Sequence, residues 1–468
     1  MSELTDRCAV PVRDALEGLW SLSDCDRRAL DRIELTGAEP ALPSVFPIGT
    51  AASACIGAAG LAASELWRLR TGNAQPVRVA MRNAAIAYRS ERYLRIDGSP
   101  VEGPHRAQSY FRDRSGRWMQ VHMVYPHHRA GILRTLGCED ANGEIASAIA
   151  RTDAFELEDA LAARGLPGYA QRTPREWAAH PQGVALATVP VLEIERLGDA
   201  PPCPLPAGNR PLSGVRVADL TRVIAGPICG RTLAAHGADV LRIHPPHLPE
   251  VPVLAMDGGR GKRCAHVDLR DARDRRAFDA LVEDADVFVQ GFRPGGLASL
   301  GYAPEVVAER RPGIVYVTLS AWGETGPWAG RHGFDSLVQT ASGIVTEGSE
   351  AKGIETPVPL PCQALDHSTG YLAAFGAMAG LARRATLGGS WLVRVSLAAT
   401  GRWLDGLGRI DGLSAPDPNL ATVADRLERR RTAFGEMTSV RNAEQLPETP
   451  PELTLPAAPL GSHRCEWI

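Results

Sequence analysis

The sequence predicts an α/β protein: a doubly wound, Rossmann-like parallel sheet with a smaller α+β lobe. Three observations carry this reading. Beyond residue 211, short apolar strands alternate with helical segments across short joins, a pattern that builds parallel sheets covered on both faces. Ahead of it, a strand–polar turn–strand pattern is followed by helices, as in a small mixed lobe. With 468 residues the chain is also too long for one ordinary core.

In chain order, residues 1–40 read as two short polar helices, 14–22 amphipathic and 24–34 charged. Residues 49–69 are rich in Ala and Gly and read as a tightly packed buried helix. Gly72 stops it, and the short alternating strand 76–81 follows. In the next block, Ser109-Tyr110-Phe111, the turn Ser115-Gly116-Arg117 and the strand 118–124 form a hairpin signal, with helices at 130–136 and 154–164. The proline-dense stretch 200–211 marks a linker. After it come strands at 215–220, 238–243, 286–290 and 314–319, separated by helices at 226–236, 273–284 and 306–311. A second small-residue helix occupies 370–384, Gly388-Gly389 breaks it, and the strand 393–397 follows.

The last unit repeats the first. A gapless shift of 316 residues places Ala58 on Ala374, Gly60 on Gly376 and Arg68 on Arg384. The same shift places Gly72 on Gly388 and Val77-Arg78-Val79 on Val393-Arg394-Val395. Ala/Gly matches are cheap, but the Arg, Gly and Val-Arg-Val matches in one frame are not, so an internal duplication of a helix–strand unit is expected.

Composition narrows the class. The chain is 44% hydrophobic and 22% charged with a net charge of −3, which reads as globular and gives no electrostatic ground for binding nucleic acid or an anionic membrane. No apolar run is long enough to span a bilayer, and the first twenty residues lack a signal-peptide layout. The nine cysteines contain no CxxC pair, which argues against a disulfide framework or structural zinc and makes a reduced cytoplasmic setting the expectation. Of 51 basic residues only Lys262 and Lys352 are lysine, an Arg skew that fits a GC-rich bacterial genome.

Ligands of such sheets sit at the carboxyl ends of the strands, here the loops 221–227, 244–247, 291–296 and 320–327. The nicotinamide fingerprint GxGxxG is missing after the first strand, where Ile224-Ala225-Gly226-Pro227 stands instead. Pro227 suits a helix start, whose free N–H groups can receive an anion. The loop Asp257-Gly258-Gly259-Arg260-Gly261-Lys262-Arg263 combines glycines with three cations and reads as a phosphate clamp, against the plainer reading of a solvated basic loop. His127-His128 lacks the partners of a metal site and is expected at a surface turn. Cys362 reads as a buried small hydrophobe.

Together these motifs resemble a family. Residues 211–220, Ala225-Gly226-Pro227 and Gly237-Ala238-Asp239-Val240 look like the opening of the class III CoA transferases, the group of formyl-CoA and carnitine CoA transferases. Gly261-Lys262-Arg263, Phe292-Arg293-Pro294-Gly295, Gly326-Pro327 and Gly333-Phe334-Asp335 follow in the family's order. The resemblance covers about residues 211–400. It implies a CoA transferase fold and a single catalytic aspartate, matched here by Asp366 in Leu365-Asp366-His367-Ser368-Thr369-Gly370. By itself, an Asp at that place reads more simply as a helix cap. The resemblance further implies CoA contacts at Ile224, Ala225, Gly259, Arg260, Gly261, Lys262, Phe292, Arg293 and Asp335. It implies coenzyme A or acyl-CoA as substrate with no permanently bound cofactor or metal, and a homodimer. His244 and Pro245 depart from the family pattern and put the adenosine-end contacts in doubt.

The family also contains α-methylacyl-CoA racemases, which pair the Asp with a His in a Gly-His-Asp motif. Here that motif reads Gly333-Phe334-Asp335, with His332 one step off, so the racemase is the alternative reading. A CoA-binding paralogue without turnover is a third. Thr50 falls opposite Asp366 in the repeat frame, so the upstream copy is expected to be inert. The expected organisation is N-terminal helices at 1–40, an inactive partial repeat at 41–103, a small lobe at 104–204, a CoA-binding domain carrying Asp366 at 205–420, and a tail at 421–468.

Overall fold

A computed structural model describes residues 9–103 and 109–468. The first eight residues of the expected N-terminal helices, and residues 104–108 at the start of the expected small lobe, lie outside the described part.

The centre is a seven-stranded sheet made of β1 (Leu192–Gly198), β2 (Arg216–Leu220), β3 (Asp239–His244), β4 (Arg263–His266), β5 (Val287–Gln290), β6 (Val315–Ser320) and β7 (Ser390–Ser396). Its strand order is β4-β3-β2-β5-β6-β7-β1. All neighbours are parallel except the last pair, β7 with β1. The six parallel strands follow the 3-2-1-4-5-6 order of doubly wound sheets, so the strand order reverses between β2 and β5 and leaves a crevice beyond their carboxyl ends. The strand interiors are buried on both faces, which is why they read as near-continuous apolar runs.

Strand β1 lies within the span 104–204 expected to be the small lobe, yet it closes the central sheet as its antiparallel edge. Its half-exposed Glu193, Glu195 and Arg196 hid it from an apolar-strand search, as an edge strand's polar face does. Other described residues of that span build a sheet of their own. Strands Tyr110–Arg112, Trp118–Val121 and Gly168–Ala170 make an antiparallel sheet over their own core of Phe111, Met119, Ile132, Ile145 and Leu161.

The helix–strand repeat is plain in three dimensions. Helices Ile48–Thr71 and Ala364–Leu387 are both 24 residues long, and both ends lie 316 residues apart. Each is followed by a strand, Val77–Ala80 and β7, and then a helix, Met81–Ala87 and Leu397–Gly406. Gly60 faces Cγ1 of Val77, where an added Cβ would meet it at 2.9 Å. Gly376 faces Cγ1 of Val393 in the same way, at 2.5 Å. Both helices are buried almost all round, which explains their Ala/Gly content and the absence of a polar face. They pack against each other, and the Ala364–Leu387 helix also packs on Ala225–Ala235.

Two N-terminal details correct the sequence reading. The first helix is Val12–Ser21, but the expected second one is a 3-10 turn, Arg27–Arg32, that runs into a strand, Ile33–Thr36. That strand pairs in parallel with Val77–Ala80, and its Ile33 and Leu35 alternate inward while Glu34 between them stays out. The tail is no separate appendage either. Its hairpin, Leu427–Thr432 with Gly435–Val440, pairs with Arg95–Ile96, and Glu444–Gln445 pairs with Val77–Ala80.

One continuous core joins Leu16, Trp20 and the Ile48–Thr71 helix to β2, β5, β6 and β7. A chain beginning at Pro206 would therefore expose the apolar flank of the Ala364–Leu387 helix. It is expected to lack cooperative thermal unfolding and to be recovered mainly in the insoluble fraction, measured by circular dichroism and centrifugation.

Candidate active site around Asp366

Asp366 sits in the first turn of the Ala364–Leu387 helix rather than ahead of it. The N-cap residue is Gln363, which makes no side-chain capping bond, so the capping reading of Asp366 is replaced by a different geometry. The backbone N–H of Asp366 donates to Oδ2 of Asp335 at 2.8 Å. Asp335 opens the helix Asp335–Ala341 and is fixed from the other side by the Gln339 side-chain amide. Its own carboxylate thus does the capping and frees that of Asp366. Asp335, expected among the CoA contacts, is 2% exposed and engaged with the turn that carries Asp366.

The Asp366 carboxylate accepts a hydrogen bond from the N–H of Ala225, the first residue of the Ala225–Ala235 helix. Two helix starts meet here, at the switch point after β2. Their approach needs Gly370, whose added Cβ would lie 2.4 Å from the carbonyl oxygen of Ala225. The loop before the crossing holds Val223 at φ 70°, a costly conformation for a β-branched residue and one typical of functional turns.

Two side chains from the N-terminal part reach the same turn. Oε2 of Glu91 lies 3.2 Å from Nε2 of His367, which is fully buried. The Tyr88 ring stacks on His367 with centroids 5.2 Å apart, and its hydroxyl bonds Ser368 at 2.9 Å. Glu91 also lines a narrow cleft with Val223, Ile224, Pro227 and Leu254. Glu91 and Tyr88 escaped the sequence reading because Arg89-Ser90-Glu91-Arg92 looks like a solvated charge run.

The electrostatics follow from this crowding. Burial, then the neighbouring Asp335 and Glu91 carboxylates, push Asp366 well above the usual carboxyl range, against the pull of the Ala225 N–H. Burial raises Asp335 to about 6, opposed by the N–H groups and the Gln339 amide it accepts from. Burial pushes the Cys362 thiol up to about 12, consistent with an inert packing residue.

The basic loop departs from expectation. Lys262 is fully buried, with Nζ 2.7 Å from Oδ2 of Asp219 and 2.8 Å from the carbonyl oxygen of Pro227. Arg260 bonds Asp257 and the Val440 carbonyl, and Arg263 bonds Asp239. Gly261 lies under Leu453 of the tail, and Gly259 is left half-exposed beside it. The three cations therefore do not form a phosphate clamp in this structure. Lys262 instead ties β2 to the first turn of the Ala225–Ala235 helix, which it helps to position. Phe292 and Arg293 follow β5 on the other side of the switch point, and Arg293 keeps its guanidinium exposed, 3.2 Å from the Gly330 carbonyl. Buried Ile224 is the residue before the Ala225 helix.

His127 and His128 are not at a surface turn. They open the helix Pro126–Leu136, where His128 is buried against His122, Tyr125, His332 and Phe334. Burial lowers His122 and His332 to about 4 and His128 to about 3, so this cluster is neutral at pH 7. Among the described residues no group of three or more metal-ligating side chains assembles. Nε2 of His244 lies 3.1 Å from Oε1 of Glu250, which also takes Arg222 and Arg242.

The model of CoA-transferase family III matches residues 212–406. An acetyl-coenzyme A transferase of Hypoxylon pulicicidum is 36% identical over 200 residues, 42% of this chain and 34% of the relative. An acyl-CoA transferase of Gibberella moniliformis is 30% identical over 311 residues, 61% of this chain and 54% of the relative. A probable fatty acyl-CoA transferase of Mycobacterium tuberculosis is 32% identical over 208 residues, 41% of this chain and 52% of the relative. Its crystal structure superposes with a TM-score of 0.38 at 30% identity, over 43% of this chain and 59% of that one. The chain therefore spans from about a third to about half of the length of these relatives.

A carboxyl whose folded pKa is raised holds its proton more tightly than in the unfolded chain. Its contribution to stability is therefore lost as pH rises from the unfolded value towards the folded one. Asp366→Asn is expected to raise the thermal midpoint by about 1–3 °C at pH 8 and to leave it unchanged near pH 4, read by differential scanning calorimetry.

Proposed function

We propose that the protein is a CoA transferase that moves coenzyme A from an acyl-CoA to a carboxylic acid through a covalent intermediate on Asp366. The observation that carries the reading is the buried Asp366 carboxylate, held by the Ala225 N–H where two helix starts meet within the family-matched segment. The relatives named as acetyl-CoA and acyl-CoA transferases support the substrate class.

In the proposed sequence a carboxylate oxygen of Asp366 attacks the donor thioester carbon, the C–S bond breaks, and CoA thiolate leaves a mixed anhydride. The thiolate attacks the Asp366 acyl carbon and releases the donor acid, leaving an aspartyl-CoA thioester. The acceptor carboxylate displaces the thiolate to give a second anhydride. Thiolate attack on the acceptor acyl carbon then yields the new thioester and restores Asp366. The Ala225 N–H lies where an oxyanion develops on Asp366. Asp335 and Glu91 disfavour the ionised side chain, whereas the anhydride and the thioester are neutral. Their repulsion is relieved on acylation, which favours forming the intermediate.

The resemblance also implies a homodimer, and the eight described cysteines, all unpaired, suit a reducing cytoplasm. Sedimentation of the intact chain checks the first.

Incubation with a panel of acyl-CoAs and hydroxylamine, followed by peptide mass mapping, is expected to place a hydroxamate on Asp366. Asp366→Ala is expected to lose about 10³-fold or more in kcat. Wild-type turnover in that variant would remove the mechanism, and racemisation of a 2-methylacyl-CoA without exchange into free acids would replace it by the racemase reading. Because Asp335 is raised to about 6 and Asp366 in the same direction, kcat/KM is expected to rise with pH and level off only above about pH 6. Asp335→Asn removes one repelling charge and is expected to move that limb to lower pH, as a pH–rate profile would record.

A further inference from the structure

A cavity of about 600 Å³ lies where the start of the Val77–Ala80 strand, the hairpin Leu427–Thr432/Gly435–Val440 and the tail meet. Its lining holds no residue of the Asp366 site. Four arginines face it, and they are not equally satisfied. Arg430 reaches Glu452 at 3.6 Å and Glu428 at 4.0 Å, and Arg78 reaches Glu34 at 2.8 Å. Arg426 and Arg441 have no carboxylate within ion-pair distance among the described residues. Arg426 donates to the Asn442 carbonyl and Arg441 to the Leu427 carbonyl.

The two also repel each other. They are joined through the Arg441 N–H to Arg426 carbonyl bond at 2.9 Å, and both line the same cavity. Burial and then the Arg441 charge hold Arg426 below the usual guanidinium range, against the pull of Asp425. Asp425 is itself engaged with Arg82 at 2.8 Å. The third carboxylate of the lining, Glu444, is buried and turned towards His236 at 3.5 Å. Two forked donors, each with unused N–H groups and facing one void with no carboxylate of its lining within ion-pair distance of either, are matched by an anion that offers several oxygens to both. The rest of the wall includes prolines of the tail, rigid and apolar, which suit the uncharged part of a small molecule.

We propose that this cavity is a second, non-catalytic binding site for a small polyanion, a phosphate ester or a polycarboxylate, held between Arg426 and Arg441. It is independent of the transferase reading, because it shares no residue with the Asp366 site.

Calorimetric titration of the full chain with inorganic pyrophosphate, and separately with citrate, tests it. One saturable site per chain is expected for at least one probe, and which probe binds tighter separates phosphate from carboxylate recognition. Arg426→Gln with Arg441→Gln is expected to weaken binding at least about tenfold, whereas Asp366→Asn leaves it unchanged. If circular dichroism shows the double variant misfolded, Arg441→Lys is read instead. It keeps the charge but loses the fork and is expected to weaken binding about threefold or more. No saturable binding up to about 5 mM of either probe overturns the proposal. So does equal affinity in the folded arginine variants, or loss of binding in Asp366→Asn.

Discussion

The contact on which the molecule turns is the close crossing of the Ala225–Ala235 and Ala364–Leu387 helices at Gly370. A Cβ there would stand 2.4 Å from the Ala225 carbonyl, so only glycine lets the two helix starts meet. Once they meet, the Ala225 N–H can hold the Asp366 carboxylate. Much of the surrounding structure fixes that crossing. The buried Lys262 ammonium ties Asp219 at the end of β2 to the Pro227 carbonyl, and Asp335 holds the Asp366 amide. A buried ion pair such as Lys262–Asp219 adds little net stability, because both charges lose their water. Its value here is positional: it sets where one helix begins.

The charges around Asp366 pull in two directions. The helix starts and the Ala225 N–H favour an anion, while burial, Asp335 and Glu91 oppose it. The outcome is a carboxyl more basic than a surface aspartate, and greater basicity accompanies greater nucleophilicity once the proton leaves. This arrangement costs the folded state some stability, as strained functional sites commonly do.

Much of the fold was legible in the sequence. The parallel strands read as buried apolar runs because both faces of the sheet are covered, and the repeat showed itself through Arg68, Gly72 and the Val-Arg-Val triplet. Strand β1 was not legible, because an edge strand is half polar. The Ile33–Thr36 strand read as a charged helix, since four residues are too few to show a period. Asp366 was legible only through the order of motifs around it. Glu91 and Tyr88 were not, because only the folded chain brings residues from the first hundred to the turn at 366. Lys262 was singled out for its rarity, but sequence cannot tell an outward ammonium from one turned in towards Asp219.

The repeat also changes what substitution can do. When a site is built from identical subunits, every change appears in each copy at once. Here the two copies are separate stretches of one chain, so position 50 and position 366 can vary independently. The Thr50 amide still donates to a carboxylate, Oε1 of Glu39 at 2.6 Å, as the Asp366 amide does to Asp335. The first copy keeps the same amide-to-carboxylate turn, with Thr50 where the second has Asp366. Carrying no carboxylate there, it serves as a wall, and Tyr88 and Glu91 are what the residues beyond it present to the second copy.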